Sequence, residues 1–123
     1  PLSCAIGKQQ VTEPMQNTSD LKTYCFDIDG TLCTITDATY DQAQPFSDRI
    51  AKLNELYAIG HRIVLFTARG STTGIDWRAV TEQQMSDWGV QYHELILGKP
   101  YADIFIDDKA VNDKVWLYAT VKK

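Results

Sequence analysis

Residues 24–31, Tyr-Cys-Phe-Asp-Ile-Asp-Gly-Thr, limit what this chain can fold into more than any other stretch. They read as a short apolar strand ending in two aspartates, Asp27 and Asp29, with a Gly30-Thr31 turn straight after. Side chains alternate across a strand, so the two carboxylates fall on one side. A buried apolar strand has no structural use for two carboxylates at its end. They repel each other and cost desolvation energy unless a cation or a phosphoryl group lies between them. In open α/β sheets, ligands bind at the carboxyl ends of strands. This strand end is the first candidate for chemistry.

The rest of the chain narrows the function classes. Its 123 residues suffice for one compact domain. A net charge of -4 argues against a nucleic-acid partner, which favours a basic surface. No apolar run approaches the ~18 residues that a membrane span needs. The opening residues lack the basic start and apolar stretch of a signal peptide. Cys4, Cys25 and Cys33 show no metal-ligand spacing and leave one thiol unpaired in any disulfide scheme. A reduced, cytoplasmic protein is the simplest reading, with Cys25 a small core residue.

Residues 1–20 are polar and read as a loosely ordered tail or a linker from something upstream. From 21 to 123 the pattern alternates strand and helix. Strand one is expected near 22–27, followed by a polar connector over 31–45. A helix then has Ser47 as N-cap, Asp48 in its first turn, Ile50, Leu53, Leu56 and Tyr57 at helical spacing, and Gly60 as its stop. The run Ile63-Val64-Leu65-Phe66 suggests a strand buried on both faces. Gly70 to Gly74 form a loop, and Asp76 caps a second helix bearing Trp77, Val80, Met85 and Trp88. Further strands are expected near 92–97, at 103–107 and at 115–118. The fold class is therefore α/β: a doubly wound, Rossmann-like parallel sheet with helices on both faces.

Chain direction then gathers chemistry at one edge. Asp27 and Asp29 end strand one, Thr67 ends strand two, Lys99 follows strand three, and Asp107-Asp108 end the expected strand four. The carboxylates offer hard oxygen ligands for Mg²⁺. A lysine supplies positive charge for phosphate. The Thr67 hydroxyl and the backbone N–H groups after Asp27 can hold phosphoryl oxygens. One carboxylate is left to attack phosphorus and another to move protons.

With these residues in place the chain resembles a known family. Asp27-Ile28-Asp29-Gly30-Thr31, Thr67 after an apolar strand, Lys99-Pro100, and Asp107-Asp108 after Ile104-Phe105-Ile106 are similar, in order and spacing, to the four motifs of the haloacid dehalogenase (HAD) superfamily. Thr67-Ala68-Arg69-Gly70 and Gly98-Lys99-Pro100-Tyr101-Ala102-Asp103 resemble small phosphatases of capsule and polysaccharide biosynthesis. The resemblance implies that Asp27 is the nucleophile and Asp29 the general acid and then base. It implies that Mg²⁺ is held by Asp27, the Asp29 carbonyl and Asp107, with Asp108 direct or through water. Thr67 and Lys99 would position the phosphoryl group. The gaps between motifs are too short for a cap domain, which implies an open site that takes a large substrate or is closed by a neighbouring subunit.

Gly30 and Arg69 complete the expected substrate-binding set, although Arg69 is equally able to pair with a surface carboxylate. His61 and His93 have no partner pattern and read as structural. Trp77, Met85 and Trp88 read as core first. The leading expectation is an Mg²⁺-dependent phosphomonoesterase acting on a small sugar or polyol phosphate, with no nucleic-acid or membrane partner. Its rivals are a phosphatase for macromolecules, the phosphatase domain of a larger bifunctional enzyme, and a non-enzymatic phospho-receiver domain. Receivers order their acidic residues differently along the chain, which counts against the last.

Overall fold

The computed structural model describes residues 20–118, so all of the expected tail but Asp20 lies outside them. Three parallel strands form one sheet in the order β1 (Thr23–Phe26), β2 (Arg62–Thr67) and β3 (Glu94–Leu97). Helix α1 (Ser47–Ile59) connects β1 to β2, α2 (Arg78–Asp87) connects β2 to β3, and α3 (Asp113–Tyr118) follows. The result is a small α/β fold consistent with a Rossmann-like sheet.

Burial follows position in the sheet. In central β2, Ile63, Val64 and Leu65 are all buried, so both faces are covered, as the unbroken apolar run predicts. Flanking β1 alternates instead: Phe26 is buried while Thr23 and Cys25 are exposed. Cys25 is therefore not the core thiol expected from sequence. Among the described residues strand β1 pairs with β2 alone, and Thr23 and Cys25 face outward. The core thiol is Cys33, which is fully buried beside Ile28, Leu32, Leu53 and Leu65.

Local signals place most helix ends. Gly60 adopts φ 117° and donates its N–H to the Leu56 and Tyr57 carbonyls, closing α1 in a conformation that a side chain disfavours. Ser47 is the first helical residue of α1, and Phe46 takes the cap position without a side-chain bond. Asp76, expected as the cap of α2, accepts the Arg78 N–H at 3.0 Å from one residue earlier, and Trp77 takes the cap position without a side-chain bond. Each histidine ties a strand start. His61 Nδ1 accepts the Lys22 N–H and His93 Nδ1 accepts the Ile63 N–H, both at 3.0 Å.

Two expected strands are absent among the described residues. Segment 103–107 is irregular, with Ile104 76%, Phe105 52% and Ile106 97% exposed. Local bonds take its polar groups: Tyr101 donates to Asp103 at 3.1 Å, and Asp107 accepts the Lys109 N–H at 2.8 Å. Such side-chain bonds compete with a strand ladder. The expected strand at 115–118 is instead part of α3. Asn112 caps that helix by accepting the Lys114 N–H at 2.9 Å, and Lys52 bonds the carbonyls of Trp116 and Leu117. The Trp116 ring meets Phe26 edge to face at 5.0 Å between centroids, which seats α3 by the end of β1.

Candidate active site

The register sets the geometry of the carboxyl edge. Phe26 pairs with Leu65 and Thr67 with Leu97, so the strands end close together. Beyond Phe26 the chain leaves the ladder. Ile28 is fully buried, and this anchor leaves the flanking Asp27 and Asp29 half-exposed at the edge. The turn that follows is bonded throughout: Leu32 N–H to the Ile28 carbonyl at 2.8 Å and Gly30 N–H to the Cys33 carbonyl at 2.8 Å. Gly30 has φ 86°, and a Cβ there would crowd the Ile35 side chain at 3.2 Å. Arg49 Nη1 donates to the carbonyls of Gly30 at 3.3 Å and Thr31 at 3.1 Å while pairing with Asp113.

Asp27 is held loosely. Lys99 Nζ lies 3.4 Å from its Oδ1, and the Thr31 hydroxyl donates to its Oδ2, also at 3.4 Å. Both distances are long for hydrogen bonds, so the carboxylate remains free to meet another group. Burial pushes the Asp27 carboxyl above its ordinary range, and the nearby Lys99 charge only partly offsets this. Lys99 is itself well placed. Its N–H donates to the Thr67 carbonyl at 3.1 Å, and its carbonyl accepts the Ser71 hydroxyl at 2.6 Å. Its ammonium sits over the Phe105 ring at 4.5 Å.

Asp29 is held tightly. Arg69 grips it in a fork, Nε to Oδ2 and Nη2 to Oδ1, both at 2.9 Å. The Arg69 side chain has no exposed surface. Its Nη1 donates to the Thr81 hydroxyl at 3.0 Å and to Gln84 Oε1 at 2.6 Å, and its Nη2 reaches Cys33 Sγ at 3.7 Å. A guanidinium has five N–H donors, and these partners account for all of them. The Tyr40 ring covers it at 4.9 Å. In this arrangement the guanidinium is enclosed and its donors go to protein groups, with Asp29 in place of the surface carboxylate expected from sequence. Thr67, 1% exposed, accepts the Arg69 backbone N–H at 3.2 Å and so helps to aim this residue.

Asp107 and Asp108 lie in the exposed irregular segment. The Lys109 N–H, with Asp108 beside it, holds the Asp107 carboxyl below its ordinary range. No group of three or more histidine, cysteine, aspartate or glutamate side chains among the described residues is arranged to hold a metal ion. The expected Mg²⁺ ligands are therefore not assembled in this arrangement, because strand four, which was to bring Asp107 to the edge, has not formed.

Sequence reasoning missed Arg49, Tyr40, Thr81 and Gln84. Thr81 and Gln84 carry one readable signal: they are polar residues at three-residue spacing on the same helix face as buried Met85. Such a polar interruption calls for a buried partner. Nothing in the sequence singles out Arg49 or Tyr40.

No protein-family model and no curated protein sequence matches this chain. Among solved structures it is similar to a structural-genomics target from Vibrio cholerae, with 28% identity and a TM-score of 0.74 over 82% of this chain and 91% of that one. It also aligns with chains from two structures of a Pnkp1/Rnl/Hen1 complex, the second described as an RNA repair complex, at 23% and 22% identity with TM-scores of 0.54 and 0.51. These alignments cover 85% and 92% of this chain but 36% and 35% of the longer chains. The chain thus spans about a third of their length, and likeness at that identity shows the fold alone. Among the described residues no helix is long and apolar enough to cross a membrane.

Proposed function

We propose that this chain is a capless phosphomonoesterase of the HAD type, working through phosphorylation of Asp27. One observation carries the reading: a loosely held carboxylate beside a lysine, two residues from a rigidly held carboxylate, at the carboxyl edge of a parallel sheet. That pairing suits a nucleophile that must move onto phosphorus and a proton carrier that must stay put.

In the first step an Asp27 oxygen attacks phosphorus, the bond to the leaving alkoxide breaks, and protonated Asp29 gives its proton to that alkoxide. In the second, Asp29 takes a proton from water, the hydroxyl attacks phosphorus, and the bond to Asp27 breaks, releasing phosphate. Lys99 offsets the charge that builds on the phosphoryl oxygens. Loose contacts at Asp27 matter because its carboxylate must be free to reach phosphorus.

Mg²⁺ remains part of the proposal as a measurable requirement, since the ligands expected for it are not gathered among the described residues. A small sugar or polyol phosphate is the favoured substrate, with a neighbouring subunit covering the open edge. The structural likeness to chains of an RNA repair complex favours one second reading, a phosphorylated polynucleotide end, against which the acidic charge counts.

Phosphate release from a panel of sugar, polyol, nucleotide and oligonucleotide phosphates, with Mg²⁺ and with EDTA, tests the reading. Loss of a positioned acid–base group slows turnover about 10²–10⁴-fold, so Asp29→Asn is expected to lose activity by that factor. An unchanged rate in Asp29→Asn would remove Asp29 from the mechanism.

A further inference from the structure

We infer that Arg69 is the positioning residue of the proton-carrying carboxylate, and that its clamp leaves Asp29 a single working lone pair, on Oδ2. This rests on the phosphatase reading above. A carboxylate has about four lone-pair sites, two on each oxygen. On Oδ1, Arg69 Nη2 takes one at 2.9 Å, and the Cys33 thiol, whose single proton is shared with the Ile28 carbonyl at 3.7 Å, reaches the other at 3.4 Å. On Oδ2, Arg69 Nε takes one at 2.9 Å, and among the described residues no second donor reaches it. The remaining Oδ2 site is where a proton can sit and leave, and Asp29 keeps 20% of its side chain exposed through which to do so.

The clamp is itself clamped. Thr81 and Gln84 hold Nη1 from α2, and Gln84 Nε2 also donates to the Tyr40 carbonyl at 2.6 Å. Tyr40 in turn lies over the guanidinium and meets the Trp77 ring edge to face at 4.9 Å. The first turns of α2 and the connector between β1 and α1 therefore fix the guanidinium plane, and that plane fixes the carboxylate plane. A planar fork does this where a lysine cannot, because an ammonium offers a point charge without two parallel donors. Arg69 acts through Asp29 and not on substrate, so its loss alters proton delivery and leaves binding alone.

Leaving-group chemistry separates this role from the alternatives. An alkyl leaving group needs a proton as its bond to phosphorus breaks, while a p-nitrophenolate leaves well without one. Arg69→Lys keeps the buried charge but removes the fork. It is expected to lower kcat on an alkyl phosphate by about tenfold or more, within the range of an acid–base contribution, and on p-nitrophenyl phosphate far less. KM is expected to stay nearly unchanged on both. In an Asp29→Asn background Arg69→Lys is expected to cost nothing further, the sign of two residues acting as one unit.

A rise in KM at constant kcat would make Arg69 a substrate-binding residue and overturn the inference. Equal losses on both substrates, or full additivity with Asp29→Asn, would make it merely structural. Should Arg69→Lys fail to fold by circular dichroism, Gln84→Met removes one Nη1 partner at similar volume and must show the same preference against the alkyl substrate. A wild-type protein that cleaves neither ester overturns the phosphatase reading itself, an outcome visible before any variant is made.

Discussion

Asp27 illustrates how one residue trades stability for reactivity. Burial raises its folded-state pKa above the ordinary 3.8. A group raised in this way favours folding when protonated. Its contribution is complete below 3.8 and is lost as pH climbs through the raised folded value. At neutral pH the ionised carboxylate is thus a net cost to the fold. Asp27→Asn, neutral and of the same shape, is expected to melt higher than wild type at pH 7, with the gap narrowing as pH falls toward 4. A variant that melts lower at pH 7 would show that Lys99 outweighs burial. The thiols give a second residue-level test. Burial and the Asp29 charge push Cys33 up to about 12, so it stays protonated and enclosed, while Cys25 faces solvent. In the native protein at pH 8, a thiol reagent is expected to modify Cys25, slowed because partial burial raises its thiol above the ordinary range, and Cys33 only after denaturant. Asp27, Asp29 and Lys99 were legible because chain order alone puts strand ends together. The role of Arg69 was not. Beside Gly70 in a loop it reads as a surface residue, and its buried partners come from 12 to 40 positions away.

Among the elements, the strands differ in how much the sequence says about them. The β2 run declares itself, since four consecutive apolar residues in a six-residue strand mean cover on both faces. Gly60 declares a helix end through its own backbone chemistry. Segment 103–107 has a similar apolar run, yet it is exposed, because a run of three apolar residues states a preference for burial and does not supply a neighbouring strand. The contrast is measurable. Leu65→Ala removes fully buried atoms and is expected to cost about 2–5 kcal/mol. Ile106→Ser changes a side chain already 97% exposed and is expected to shift stability by less than about 0.5 kcal/mol. A cost near that of Leu65→Ala, read from denaturant unfolding, would mean that 103–107 is packed in solution. The 115–118 stretch was misread for a related reason: Val115 and Trp116 suit strands, but the Asn112 cap and the Lys52 bonds at the far end decide for helix.

At the scale of the molecule, the sheet delivers Asp27, Asp29, Thr67 and Lys99 to one edge, and α2 supports that edge from behind through Thr81 and Gln84. Stability and chemistry are divided accordingly: Ile28 belongs to the core, and the partly buried carboxylates on either side of it lie at the edge. The covalent role of Asp27 is the claim on which the rest depends. Its most direct test is peptide mass analysis after rapid acid quench of the protein turning over a phosphate ester in Mg²⁺, with Asp27→Asn alongside. The account predicts one phosphoryl group on the peptide containing Asp27, formed and lost more slowly in Asp29→Asn, and none in Asp27→Asn. Phosphate release with no phosphorylated Asp27 at any quench time, in wild type and in Asp29→Asn alike, would contradict it.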